Sequence, residues 1–66
     1  MLKKGMKYKI KEKTEIYLAE EVVSIEQGTV FRCEEAGQQP VLVDVASNKI
    51  LPIQAAVHLQ NLLFHE

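Results

Sequence analysis

Residues 6–11 read Met-Lys-Tyr-Lys-Ile-Lys, a strict alternation of apolar and cationic side chains. With a two-residue repeat, Met6, Tyr8 and Ile10 share one face and Lys7, Lys9 and Lys11 the other, which predicts a strand with one wet side. Ile16 and Leu18 alternate against Tyr17 in a second extended stretch, and Val22-Val23-Ser24-Ile25 resumes β-type sequence after Glu20-Glu21. Glu26-Gln27-Gly28 then predicts a turn, because Gly28 tolerates the left-handed region. Thr29 to Glu34 is rich in β-branched and aromatic residues and predicts another strand. Residues 36–40, with Gly37 and Pro40 as breakers, read as a loop. In the strand that follows, Val41, Val43 and Val45 share a face. Ser47-Asn48-Lys49 predicts a tight turn leading into Ile50-Leu51, since Asn accepts a positive φ.

From Pro52 onward the period changes. Pro suits the first turn of a helix, and good helix formers follow, so the pattern predicts one helix over about 52–65. On that helix Gln54, His58, Asn61 and His65 fall within about 60°, while Ile53, Ala55, Ala56, Val57, Leu59, Leu62, Leu63 and Phe64 spread over roughly 220°. A helix lying on one small domain needs an apolar stripe of about 100°. The surplus predicts a second surface. In the expected arrangement Ala56, Leu63 and either Ile53 or Val57 meet the sheet, leaving Ala55, Leu59 and Leu62 for a partner.

Four or five short strands followed by one helix define an α+β fold, an antiparallel meander, curled or partly closed, with the helix at one end. In layout, residues 6–53 resemble the small SH3-like barrels, whose strands are likewise short and turn-linked; the resemblance implies a small barrel. The 66 residues form one domain, with strands within about 6–51 and residues 1–5 expected to be flexible.

Size sharpens the meaning of the surplus apolar surface. A chain this short buries only about 60% of the surface its unfolded form exposes, so small folds usually add disulfides, a metal or an oligomer interface. Cys33 is the single cysteine, which excludes an internal disulfide, and one Cys with two His falls short of a four-ligand zinc site. Association remains. The lysines interrupting the first thirteen residues leave no secretory apolar core, and no stretch has the 18 or so apolar residues of a membrane span. With one free thiol, this predicts a cytoplasmic protein.

The net charge of −1 conceals an asymmetry. Residues 1–13 carry six Lys against Glu12, a balance of +5; the remainder carries Arg32 and Lys49 against seven Glu and Asp44, a balance of −6. A basic arm on an acidic body can meet nucleic acid, an acidic protein, or the acidic face of a neighbouring copy. Lys on an edge strand also blocks unwanted strand pairing, which is an ordinary structural use of such a row.

Little else points to chemistry. His58 and His65 lie two helical turns apart on the expected helix, about 10.5 Å, too far to share a metal. Cys33 reads as a buried small hydrophobe beside Phe31, with no base oriented towards it. Glu20-Glu21 and Glu34-Glu35 are adjacent pairs that strand geometry sends to opposite faces. Gly5, Gly28 and Gly37 are dispersed and form no phosphate-binding loop. A body this small leaves little room for a deep pocket. No catalytic residue, cofactor, metal or small-molecule ligand is expected, and the chain is not expected to be an enzyme.

These features predict a small protein-interaction module of the kind found among regulators, inhibitors and accessory subunits, including those of phages and mobile elements. It is expected to associate through its last helix, with Ala55, Leu59, Leu62, Leu63 and Phe64 as contacts and a homodimer as the default symmetry. The alternative is nucleic-acid binding through Lys7, Lys9, Lys11 and Arg32. It is opposed by the pI of about 6.1 and by Tyr8 lying on the core side of its strand.

Overall fold

The computed structural model describes residues 2–65. It contains β1 (Lys7–Ile10), β2 (Thr14–Tyr17), β3 (Val22–Ile25), β4 (Val30–Ala36), β5 (Gln39–Asp44), α1 (Ile53–Leu59) and β6 (Leu63–His65). All strand pairs are antiparallel, in a four-stranded sheet of order β5-β4-β1-β6 and a separate β2-β3 hairpin. The fold is therefore α+β, with an antiparallel sheet and one short helix. The six strands exceed the four or five expected, and among the described residues they close no barrel, because β2 and β3 pair only with each other.

Alternation decides the core. Tyr8 and Ile10 of β1 and Phe31 and Cys33 of β4 point inward, joined by Ile16 and Ile25 of the hairpin and Leu42 of β5. Leu51, Ala55, Ala56, Leu59 and Leu63 cover them from the other side. Full burial of a side chain such as Phe31, Ile10, Leu42 or Leu59 stabilises by about 1.5–3 kcal/mol each. Strand β5 is buried on both faces, with Val41, Leu42 and Val43 all enclosed and Val45 half-buried. Its outer edge is capped by an antiparallel bridge between Val43 and Ile50.

The turns follow their residue chemistry. Gly28 takes φ 86° and Asn48 φ 60°, as the sequence predicts. Asp44 shapes the second of these turns: its Oδ1 accepts from the N–H of Ala46 at 2.9 Å. The region read as a loop over 36–40 is instead a tight β4–β5 hairpin, with Ala36 opposite Gln39 and Gly37 at φ 68°. Pro40 fits in β5 because, one residue beyond the closing pair, its nitrogen points away from β4 and owes no ladder bond.

The structure adds to the reading of one terminus and corrects that of the other. Residues 3 and 5 make contacts with the body that the sequence reading did not anticipate: Gly5 N–H donates to Cys33 C=O at 2.8 Å and Lys3 N–H to the Tyr8 hydroxyl at 2.9 Å. Met1 lies outside the described residues. The helix does not run to 65. It stops at Leu59, turns with Leu62 N–H donating to Leu59 C=O at 2.8 Å, and the chain returns as β6 along β1. The physical reason is an open strand edge: β1 has unpaired main-chain groups on that side, and pairing Ile10 with Leu63, Lys9 with Phe64 and Tyr8 with His65 satisfies them.

Candidate functional site: a cleft beside the hairpin and a cationic sheet face

Shortening the helix removes most of the surplus apolar arc. Over residues 53–59 the buried positions are Ala55, Ala56 and Leu59, which span about 100°, the stripe one surface can cover. The expected contacts Ala55, Leu59 and Leu63 are thus part of the chain's own core, at 0%, 0% and 9% exposure. Leu62 is half-buried against the same cluster. Of the five, only Phe64 is exposed, and it stands on β6 rather than on the helix. The expected division of the helix holds for Ala56 and Leu63, which are buried, and is corrected for the rest: Ile53 and Val57 face outward, and Ala55 and Leu59 join the core.

The lysine row also has a different setting. Strand β1 lies between β4 and β6, so its lysines do not guard an edge of the finished sheet. Register places Lys7 directly across from Arg32, and Lys9 between Val30 and Phe64, all on the outer face. Lys11 follows just past β1, its N–H donating to Leu62 C=O at 3.0 Å. Four cations and one half-exposed aromatic ring therefore lie along this side. Arg32 is engaged by Glu34 on its own strand. Lys4 pairs with Glu35 and Lys13 with Glu26, each at 3.8 Å; these exposed pairs contribute little. Tyr8 is buried, as the alternation predicts, its ring meeting His65 edge-on at 5.2 Å.

On the opposite side of β5, the hairpin and the Lys49–Pro52 segment face each other across an open cleft of about 640 Å³. Sequence did not anticipate it, since a body this small suggests little concavity. A second depression, between the hairpin tip and Gln54, adjoins it, with Glu21 and Pro52 lining both. Val22 and Ile50, 57% and 64% exposed, rim the larger cleft. The tip itself is the Leu18–Glu21 turn, closed by the Leu18 N–H donating to Glu21 C=O at 2.9 Å. Its glutamates stay on the surface, as expected of adjacent pairs.

Cys33 is enclosed at 1% exposure. Burial, then the charges of Glu34 and Glu35, push its thiol pKa up. His58 and His65 are exposed, and neither borders the small depression next to Cys33. A thiol held neutral is a poor nucleophile, so a disulfide reagent at neutral pH is expected to modify Cys33 only as fast as the fold opens. Because the folded pKa exceeds the unfolded one, the protonated thiol favours the fold below the unfolded value. Stability is then expected to fall as pH rises from that value through the folded one. Chemical denaturation across alkaline pH checks this, and Cys33→Ala should lose that component of the decline.

Among the described residues no three or more His, Cys, Asp or Glu side chains gather as a metal-holding group. No described helix is long and apolar enough to cross a membrane. No protein-family description, curated protein or solved structure matches the chain.

Proposed function

We propose that this chain is a small non-catalytic, cytoplasmic protein-interaction module, and that it contacts its partner through the cleft beside the hairpin rather than through an extended helix. The observation that carries this reading is an open cleft lined by exposed Val22 and Ile50, with a second depression beside it that shares Glu21 and Pro52. Apolar side chains around a polar concavity supply both the area and the register that a protein contact needs. A second copy of the chain is one such partner.

Nucleic-acid binding is the second reading. It gains support from Lys7, Lys9 and Arg32 lying together on the sheet's outer face with Phe64 beside Lys9. Cations interleaved with an exposed ring are the ingredients of a single-strand platform. The acidic remainder of the chain opposes it.

One experiment separates the two. A photo-crosslinking residue is placed at Ile50 in one variant and at Phe64 in another, and each is irradiated in the source cell. The protein-interaction reading expects a protein adduct from position 50 that disappears when Val22→Glu is added. The nucleic-acid reading expects a nucleic-acid adduct from position 64 that is lost on replacing Lys7, Lys9 and Lys11 with Gln, and binding by the purified chain that weakens steeply with salt. No adduct from position 50 would overturn the first reading. Light scattering over a dilution series then tells a second copy from a foreign protein.

A further inference from the structure

We infer that the open edge of β3 takes up an extended, basic segment of a partner polypeptide as an added strand. This rests on the protein-interaction reading and names the partner's chemistry. The argument starts from the hydrogen bonds of the hairpin. Closure by Leu18 and Glu21 makes Ile16–Val23 and Thr14–Ile25 the pairs that exchange main-chain bonds. The N–H and C=O groups of Val22 and Ser24 consequently point away from β2. Among the described residues none of these four groups has a main-chain partner.

The opposite wall has the same character. Asp44 N–H donates to Lys49 C=O and Leu51 N–H to Leu42 C=O, both at 2.9 Å, and these bonds bracket the Val43–Ile50 bridge. That pattern turns the main-chain groups of Ile50 away from β5, where Lys49–Pro52 form the second wall of the cleft. Natural edge strands are usually protected by charge, proline or a bulge. Val22-Val23-Ser24-Ile25 has no charge and no proline, and its register with β2 is unbroken. An edge with no charge or proline within it, bordering the larger of the two clefts, is what strand addition uses, with main-chain bonds giving affinity and alternate side chains giving specificity.

Charge selects the occupant. Glu21, Glu26 and Asp44 border the cleft with Lys49, a balance of −2 among its lining residues, and the balance stays negative, at −1, when Lys13 beside Glu26 is counted. A basic segment is complementary to that field. A second copy pairing β3 with β3 is not, because antiparallel pairing brings Glu20 and Glu21 of one copy towards Glu26 of the other. Like charges opposed across strands are destabilising.

The test selects phage-displayed random dodecapeptides on the immobilised full chain. Enriched peptides are expected to place Lys or Arg around an alternating β-branched core. Titrated into labelled protein, they should shift the amides of Val22 and Ser24 and slow their hydrogen exchange. Ser24→Pro removes one outward N–H without touching a β2 bond and is expected to weaken binding by about tenfold or more, the loss of roughly 1.4 kcal/mol. If that variant fails to fold, Val22→Lys, a substitution at an exposed position, carries the comparison. Failure to enrich any peptide, enrichment of acidic ones, indifference to both substitutions, or shifts confined to β1 and β6 would each overturn the inference. A protein adduct from position 50 in those cases would leave the broader reading standing; its absence as well would remove both.

Discussion

Leu59→Ala is expected to lower the free energy of unfolding by about 2–5 kcal/mol, the usual cost of a cavity at a fully buried leucine. Leu59 has no exposed surface and sits against the inner side of the sheet. A chain of 66 residues has a total stability of only about 3–10 kcal/mol at typical values per residue. The variant should therefore lose a large fraction of its stability, and urea denaturation followed by circular dichroism measures this directly. The result also distinguishes two roles for the same side chain. A leucine serving a partner surface would leave the free chain's stability within about 0.5 kcal/mol of wild type, as surface changes generally do.

Leu63→Glu and Phe64→Glu are expected to behave in opposite ways. Leu63 is enclosed opposite Ile10, and a carboxylate there must either lose its hydration or expel the strand. The expected loss exceeds about 3 kcal/mol, as for an unpaired buried charge. Phe64, the next residue, faces out at 42% exposure, and its replacement should cost no more than about 1 kcal/mol. Thermal melts of the two variants check the contrast. Equal sensitivity at 63 and 64 would contradict an in-out alternation and so contradict β6.

Much of the fold is visible in the sequence where local chemistry dominates. Alternation at Met6 to Lys11 gave β1 its faces, Gly28 and Asn48 marked turns that require positive φ, and Cys33 read as buried because its strand places it beside Phe31's neighbours. The end of the chain was not legible in the same way. Residues 62–65 are a short apolar run that fits either a last helical turn or a strand, and only the distant edge of β1 decides between them. Carrying one helical period across both elements produced an apolar arc wider than the helix possesses. The hairpin at Gly37-Gln38 was missed because Pro40 argues against a strand unless its nitrogen is known to face away from the ladder. For the candidate site, the lysines and Arg32 were identifiable by type, but their register across strands was not. The cleft was invisible, since it depends on how the hairpin stands against residues 49–52, which no local pattern encodes.

The position of β6 has a consequence for the order of events in folding. Its partner β1 is made more than fifty residues earlier, an interval of about 3–10 s at ordinary rates of synthesis. Strand β4 lies nearer to β1 in sequence and closes the shorter loop, so it can cover one side of β1 first; the other side waits. Throughout the wait, β1 presents a hydrogen-bonding edge to every neighbouring chain, and Lys7 and Lys9 are the residues on it that repel a second strand. Before β6 docks, Lys7 and Lys9 therefore stand on an open edge; after it docks, they stand in the interior of a sheet.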